Sequence, residues 1–470
     1  VTPTTQLRLY QQEIVFRVES AAERAVLVVL ATGAGKTAIA EALAARMTAR
    51  GGRVVFLADR QELVLQAHAR LGGQILMGSL RCHGAVTDSP ITIASVATLA
   101  RRAEAPDADL VFCDEAHLYA ASSFRRVVEA YRGSGARIVG LTATPARLDG
   151  QGLGELFDQV IQGPPTEELI AQGWLVPVRT FAPTGPWWDS VPLRGGDFAA
   201  EDLAQAASAV VRDVAARWRE LGGADRPTIV FAATKKHASC LAEEFSSLYN
   251  GPAEVVTDDT PTAVRRAVRD RIQSGQLRVV VTVGVLGTGF DAPAVSCIVM
   301  ARPTLSWALY LQQGGRGMRP AEGKRDLLLV DAAGNSLRHG LLTKPFSVNL
   351  DGVQKLHRRA VAGLSTCRAC FRVFESTEAS CPGCGLARPA GPERKIRVVD
   401  GQLVELTPAQ AFAETAPPSK QIALLARWTR EAREKGWKPG APAARFRGMF
   451  GRYPTQSELS AAASHPRSAA

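Results

Sequence analysis

Short apolar runs alternate with helical stretches through the first two thirds of the chain, and the alternation starts over once. Ala25–Leu30, Val54–Ala58, Ile91–Ser95, Leu110–Cys113 and Ile138–Thr142 form the first set of runs. They are nearly unbroken by polar residues, as strands buried on both faces must be. Helical patterns at Thr37–Ala49 and Glu62–Leu71 lie between them. A second set follows at Thr228–Ala232, Glu254–Thr257, Val279–Thr282, Cys297–Met300 and Asp326–Asp331. Such alternation predicts an α/β fold, with parallel sheets covered by helices on both faces. Two such domains in tandem fit a chain of 470 residues and leave room for more.

The predicted boundaries are 1–165 for the first domain and 166–345 for the second. A linker with a cysteine-rich module covers 346–390, and a basic tail covers 391–470. Residues 162–223 carry Pro/Gly clusters and Trp187–Trp188. They read as the connection and the start of the second domain.

No run of 18 or more apolar residues occurs, so no membrane helix is expected. The N-terminus lacks a basic-then-apolar secretory pattern, and the expected location is a reducing cytoplasm. Formal net charge is +11 and the pI about 9.5. This charge suits a polyanionic partner, and equally suits plain solubility.

Val26–Ala38 reads VLVVLATGAGKTA: a buried strand, a glycine turn, then a helix. Gly33 and Gly35 allow backbone N–H groups close to a phosphate chain, and the helix N-terminus adds its dipole. The loop Thr32-Gly33-Ala34-Gly35 would cradle a nucleotide, with Lys36 on the β/γ-phosphates and Thr37 on Mg²⁺. The general pattern has glycine where this chain has Leu30, so a simple helix-capping turn is the competing reading.

Leu110–His117 reads LVFCDEAH, an apolar strand ending in two carboxylates. Asp114 is placed to hold Mg²⁺ and Glu115 to polarise an attacking water. An ordinary charged strand end is the alternative. Ile138–Arg147 reads IVGLTATPAR, where the Thr142 and Thr144 hydroxyls are candidates to hydrogen-bond the acidic box. A Thr-Pro strand terminus explains them as well.

The order GAGKT, DEAH, TAT resembles superfamily 2 helicases of the DEAD/DEAH-box type. The likeness is greatest to the branch holding XPB-like, UvsW-like and type I/III restriction motor subunits, and the basic tail at Gln421–Pro454 resembles C-terminal segments of some phage and prophage helicases. Further segments carry it. Leu7–Glu13 (LRLYQQE) resembles the Q-motif, which implies that Gln11 reads adenine. Phe56–Gln66 and Ile93–Leu99 resemble motifs Ia and Ib, which implies nucleic-acid contacts at Arg60 and Thr98. Thr228–Ala233 resembles motif IV. Val283–Pro293 (VGVLGTGFDAP) resembles motif V, with Thr288 toward nucleic acid and Gly289 and Asp291 toward nucleotide. Gln312–Arg319 (QQGGRGMR) resembles motif VI, which implies that Gln312 and the arginine fingers Arg316 and Arg319 meet the γ-phosphate. Arg302-Pro303-Thr304 also matches the branch. Two RecA-like P-loop domains are implied over residues 5–345.

Cys367-x2-Cys370-x10-Cys381-x2-Cys384 has the spacing of a structural four-cysteine zinc ribbon. A redox pair or unliganded thiols are the alternatives. Cys82, Cys113, Cys240 and Cys297 are scattered and read as buried thiols. Residues 386–470 hold 14 basic and 7 acidic side chains, so much of the surplus charge lies there. Trp428, Trp437, Phe446 and Phe450 interleave with arginines and lysines, which suits stacking on bases or a small helical unit with its aromatics inside.

The expected activity is that of an ATP-dependent helicase or translocase using ATP, Mg²⁺ and structural Zn²⁺. DNA is favoured over RNA, a monomeric motor is expected, and phage or host replication, repair or recombination proteins are the expected partners. The alternatives are a duplex translocase that leaves strands paired, and a non-catalytic nucleic-acid clamp. The presence of Lys36, Asp114, Glu115, Arg316 and Arg319 weighs against the clamp.

Overall fold

The structure is a computed structural model. It describes residues 6–78, 80–81, 89–102, 104–120, 122–144, 152–183, 193–194, 197–198, 211–285, 292–346, 348, 350, 363–388, 418–434, 436, 440–450 and 453–464. Two units are described in turn, 1–389 and 390–470.

The larger unit holds two parallel sheets. The first contains β1 (Ala25–Val29), β2 (Val54–Ala58), β3 (Gln74–Met77), β4 (Leu80–Arg81), β5 (Ile91–Ser95), β6 (Leu110–Asp114), β7 (Arg137–Thr142) and β8 (Gln159–Gln162). Their order is β4-β3-β5-β2-β6-β7-β1-β8, parallel except where β4 pairs with β3. The second sheet contains β9 (Val178–Phe181), β12 (Thr228–Phe231), β13 (Ala253–Val256), β14 (Val279–Thr282), β15 (Cys297–Met300) and β16 (Leu327–Val330). It is parallel throughout, in the order β13-β14-β12-β15-β16-β9. A two-stranded hairpin of β10 (Leu193–Arg194) and β11 (Asp197–Phe198) lies between them in sequence.

The continuous apolar runs have a direct cause. In β1, Val26 and Val28 face one core while Ala25, Leu27 and Val29 face another. In β16, Leu327 and Leu329 divide from Leu328 and Val330 in the same way. Because side chains alternate across a strand, two buried faces require every position to be apolar. One apolar cluster holds residues of both domains, among them Leu30 and Ala34 of the first and Leu175, Val176 and Met318 of the second. There the Val176 N–H donates to the Met318 carbonyl at 2.9 Å. The domains therefore share packed interior.

The chain crosses to the second domain earlier than the second set of apolar runs suggests. β9 forms the edge of the second sheet, parallel to β16, with Val178 opposite Leu327. A small antiparallel pair, β17 (Leu364–Thr366) and β18 (Val373–Glu375), carries the cysteine module. It meets that edge through a bridge from Phe181 to Arg372 and an N–H···O bond from Ala182 to Phe371 at 3.1 Å. Covering an open strand edge removes a template for unwanted pairing.

Among the described residues, the smaller unit has three helices: Pro418–Glu434, Ala441–Phe450 and Gln456–Ser464. Leu425, Ala426, Trp428, Phe446 and Ala462 form its core. Of the two readings of these aromatics, the small helical unit with its aromatics inside is the one found for Trp428 and Phe446, which are 6% and 0% exposed. Trp437 and the Phe450 side chain lie outside the described residues. Among the described residues, no helix is long and apolar enough to cross a membrane.

Candidate active site between the two domains

Leu30 extends the ladder of β1 by one bond, its N–H reaching the Thr142 carbonyl at 3.0 Å. The loop then turns through Gly33 and Gly35, with φ of 87° and 90°, a region that favours glycine. Helix α2 (Lys36–Ala49) follows, and Lys36 Nζ donates to the Leu30 carbonyl at 3.3 Å. The residue replacing the usual first glycine is accommodated from outside the loop. Leu30 is 1% exposed, and a Cβ on Gly163 would lie 2.4 Å from its Cδ1. The space needed by Leu30 is thus provided by a glycine at the end of β8.

Helix α1 (Leu9–Ser20) supports the loop from the other side. Tyr10 Oη and Gln11 Nε2 both donate to the Ala34 carbonyl, at 2.6 and 3.1 Å. Gln11 Oε1 accepts from the Arg8 N–H at 3.0 Å. The Gln11 amide is therefore engaged by protein at both ends. A Cβ on Gly35 would stand 2.4 Å from Gln11 Nε2, so a side chain there would displace the Gln11 amide from the loop.

β6 delivers Asp114 at its last position, and the chain then bends sharply at Glu115, with φ of 50°. That conformation is uncommon for glutamate and marks a constrained turn. Burial pushes the Asp114 carboxyl up to about 7, the neighbouring Glu115 adds to the rise, and Lys36 opposes it. Burial likewise lowers Lys36, against the pull of Glu115 and Asp114, while Arg319 and Arg316 lower it further. Two carboxylates, Asp114 half-buried and Glu115 buried, with one nearby lysine form a donor set suited to a hard divalent cation with an anionic ligand.

His117, 7% exposed, joins this box to its neighbours. Its Nδ1 lies 3.6 Å from Glu115 Oε2, 3.3 Å from Thr142 Oγ1 and 3.4 Å from Thr144 Oγ1. Thr142 Oγ1 also accepts from the Thr144 N–H at 3.0 Å. Burial holds the imidazole below its ordinary pKa, which favours the neutral ring.

The second domain approaches through helix α10 (Trp307–Gly315). From it, Gln312 Nε2 reaches Glu115 Oε2 at 3.4 Å and His117 Nε2 at 3.5 Å. A Cβ on Gly315 would lie 2.4 Å from Thr32 Cβ, and one on Gly33 would lie 2.9 Å from Arg319 Cγ. The phosphate loop and the arginine segment are thus in contact.

A buried network seats α10. Asn335 Oδ1 accepts from the Thr304 N–H at 2.9 Å, and its Nδ2 donates to the Arg302 carbonyl at 3.0 Å. Tyr310 Oη donates to the Gly340 carbonyl at 2.9 Å. Arg302-Pro303-Thr304 is thereby tied to the segment after β16.

Arg60 is exposed at the start of α3 (Gln61–Leu71), and Thr98 lies on α4 (Val96–Leu99) with Oγ1 accepting from the Gly78 N–H at 3.1 Å. They follow the C-terminal ends of the adjacent strands β2 and β5. Thr288, Gly289 and Asp291 lie outside the described residues.

The Sγ atoms of Cys367, Cys370, Cys381 and Cys384 lie within 4.8 Å of one another. Two of the separations are 3.5 Å. Tetrahedral Zn–S bonds of about 2.3 Å imply sulfur separations of about 3.8 Å, so the cluster fits zinc. Phe371 and Gly385, with φ of 62° and 76°, each follow the second cysteine of a CxxC turn. The two knuckles thus share one backbone shape, although only one has glycine. Cys113 and Cys297 are fully buried, Cys240 is half-buried, and Cys82 lies outside the described residues.

Comparison with known proteins agrees with this arrangement. Residues 4–147 match the family "Type III restriction enzyme, res subunit", and residues 215–321 match "Helicase conserved C-terminal domain". The two α/β domains are those of a superfamily 2 helicase. Relatives include a 51.5 kDa protein of Lactococcus phage (isolate 7-9), 25% identical over 75% of this chain and 76% of its own length. Another, from Saccharomyces cerevisiae and named as an ATP-dependent helicase, IRC3, is 28% identical over 70% of this chain. The chain spans about half that yeast protein, 52% of its length. Among solved structures, the HsdR-subunit fragment of a type I restriction enzyme from Vibrio vulnificus YJ016 shares the fold, with a TM-score of 0.57 and 23% identity over 74% of this chain and 67% of its own. The DNA-bound Type ISP restriction-modification enzyme LlaBIII also shares it, with a TM-score of 0.55 and 14% identity over 69% of this chain and 27% of its own.

On this superfamily 2 framework, three features were missed in the sequence. His117 was visible only as the last letter of DEAH. The tie between Thr304 and Asn335 had no local signal, because the partners are 31 residues apart. The pairing of Leu30 with Gly163 was equally hidden.

Proposed function

We propose that this chain is an ATP-dependent motor that moves along nucleic acid, DNA foremost, by opening and closing the cleft between its two RecA-like domains. The observation that carries the reading is the meeting of Gln312 with Glu115 and of Arg319 with Gly33. These contacts join residues from both domains around one phosphate loop.

In this reading the N–H groups of Thr32–Thr37 and the Lys36 ammonium bind the ATP phosphates. Thr37 and Asp114 would hold Mg²⁺, which when bound neutralises phosphate charge. Glu115 accepts a proton from the attacking water as its oxygen bonds to the γ-phosphorus. The bond to the β–γ bridging oxygen breaks, and ADP leaves with that electron pair. Arg316 and Arg319 stabilise the charge that develops. Loss of the γ-phosphate removes contacts available only in the closed cleft, so hydrolysis favours opening. His117 passes the state of the acidic box to Thr142 and Thr144.

Arg60 and Thr98 grip phosphate of the strand rather than bases, and the resemblance to motif V gives Thr288 the same role. The net charge of +11 suits a polyanion, and DNA is favoured by the likeness to restriction motors, one of them bound to DNA. RNA is the second reading, because the same fold occurs in Dbp5 bound to RNA, with a TM-score of 0.50. The four cysteines hold one structural zinc, and the basic three-helix unit adds nucleic-acid affinity. The motor works as a monomer in a reducing cytoplasm.

The deciding experiment measures ATP turnover with single- and double-stranded DNA and RNA, alongside strand displacement on forked, 3′-tailed, 5′-tailed and blunt duplexes. Nucleic-acid-stimulated turnover is expected. Displacement marks a helicase, and stimulation without displacement marks a duplex translocase. No stimulation by any nucleic acid would sink the motor reading.

A further inference from the structure

The chain that leaves the helix Asn335–His339 passes beside α10 and comes back to the first domain. A Cβ on Gly314, near the end of α10, would lie 2.3 Å from Leu342 Cδ1. At the start of the same helix, the Trp307 and Phe346 rings meet edge to face, with centroids 4.7 Å apart and planes at 90°. Leu342 and Phe346 thus touch the two ends of the helix that carries Gln312 and leads into Arg316 and Arg319.

Phe346 is also fastened to the first domain. Its carbonyl accepts from Gln162 Nε2 at 2.9 Å, at the end of β8. Phe346, Val348 and Leu350, at alternate positions, pack against the first-domain cluster that holds Leu153, Leu156 and Phe157. The Leu350 carbonyl accepts from the Gly154 N–H at 2.9 Å. Farther along, the cysteine module meets the edge of the second sheet again. β8 is therefore where the domains exchange chain in both directions. The chain leaves the first domain after Gln162 on its way to β9, and it returns at Phe346. β8 also lies next to β1, which ends in the phosphate loop.

We propose that Phe346 and Leu350 are positioning residues of the nucleotide site, strapping α10 to the first domain at β8. Closure of the cleft then brings Gln312 and the arginine segment onto the phosphate loop at one fixed place. This rests on the motor reading above. A helix packed at both ends has little freedom to tilt, and two chain crossings side by side permit hinging about β8 while opposing sliding. Neither residue needs to touch the nucleotide for this. The alternative is plain packing, in which the returning chain adds stability and nothing else. The two differ in which nucleotide state responds. ADP requires the phosphate loop of the first domain, whereas the γ-phosphate is met from the second domain as well. A positioning strap therefore matters only when the γ-phosphate is represented.

The test compares wild type with Phe346→Ala, Leu350→Ala, Gln162→Ala and Phe346→Tyr in the full chain. Affinity is measured for a methylanthraniloyl-labelled ADP, alone and with beryllium fluoride standing in for the γ-phosphate. ATP turnover is measured with single- and double-stranded DNA and RNA, and the affinities with the same nucleic acids. Phe346→Ala and Leu350→Ala should bind ADP as wild type does. Their affinity with beryllium fluoride and their kcat should both fall severalfold, up to the roughly 10²-fold cost of a misplacement of about 1 Å. Gln162→Ala should shift both in the same direction by less, and Phe346→Tyr, which keeps the ring, should restore both. Thermal unfolding establishes that each variant is folded, and an unfolded Phe346→Ala passes its role to Leu350→Ala and Gln162→Ala. In folded variants, an equal loss of affinity with and without beryllium fluoride, an unchanged kcat, or a Phe346→Tyr as impaired as Phe346→Ala would overturn the proposal. Stimulation of wild-type turnover by any nucleic acid leaves a negative result bearing on the strap alone, whereas none at all strikes the motor reading.

Discussion

Gln312 Nε2 stands 3.4 Å from Glu115 Oε2, so a side chain of the second domain touches the proposed general base of the first. The proposed catalytic set is therefore complete only when the domains meet. Glu115→Gln is expected to reduce nucleic-acid-stimulated ATP hydrolysis by roughly 10²–10⁴-fold, the usual contribution of a general base. Gln312→Ala should lower stimulated turnover while leaving ATP binding nearly intact. Steady-state turnover and nucleotide affinity read this directly. Wild-type rates in Glu115→Gln would remove it from the mechanism.

The packing of Leu30 against Gly163 predicts coupled substitutions. Gly163→Val should destabilise the first domain by about 1–3 kcal/mol through overpacking and weaken ATP binding by displacing the loop. Leu30→Ala in the same chain should recover part of the loss. Denaturant midpoints for the four members of the cycle would show this as a non-additive term. Strict additivity would show that the two sites do not share space.

Acid should destabilise the second domain through His237. Its ring is 1% exposed, Nδ1 accepts from the Ala233 N–H at 3.2 Å, and burial pushes its pKa down to about 4. The unfolded chain takes up a proton near pH 6.5, whereas the folded one does so only near 4. This stabilising effect is therefore complete above about 6.5 and is lost as pH falls toward 4, by about 3 kcal/mol in all. Unfolding midpoints of wild type and His237→Asn between pH 7.5 and 4.5 test it: the variant should show the shallower pH dependence, and equal slopes would be the contrary result.

Metal analysis should find about one zinc per chain, lost in Cys370→Ser. Removing it should also uncover the edge of the second sheet, because Phe181 bridges to Arg372. Faster amide exchange at Val178–Phe181 after chelation is the expected signature. A metal-free chain with an unchanged ribbon would rule out the zinc site.

Much of the architecture was legible in local sequence because its causes are local or periodic. Strands buried on both faces must be apolar throughout, so β1, β2, β5 and β6 were visible within a residue or so. Glycines 33 and 35 announced a turn that only small residues make without strain, and the CxxC pairs announced a cluster because two thiolates on one knuckle need that spacing. The edge strand β9 was not separately visible, since four residues carry little pattern and their place depends on β16. In the smaller unit, interleaved arginine and aromatic residues fitted two arrangements, and packing sent Trp428 and Phe446 inward.

The sequence by itself determined the order of the elements and the kinds of group available at their ends. Only the tertiary structure decided which groups meet. Leu30 needed Gly163, His117 gathered Thr142 and Gln312, and Glu62 found Arg265 203 positions away. The physical reason is that backbone propensity and periodic burial act over a few residues, whereas contact between side chains depends on where separate strands and helices come to rest.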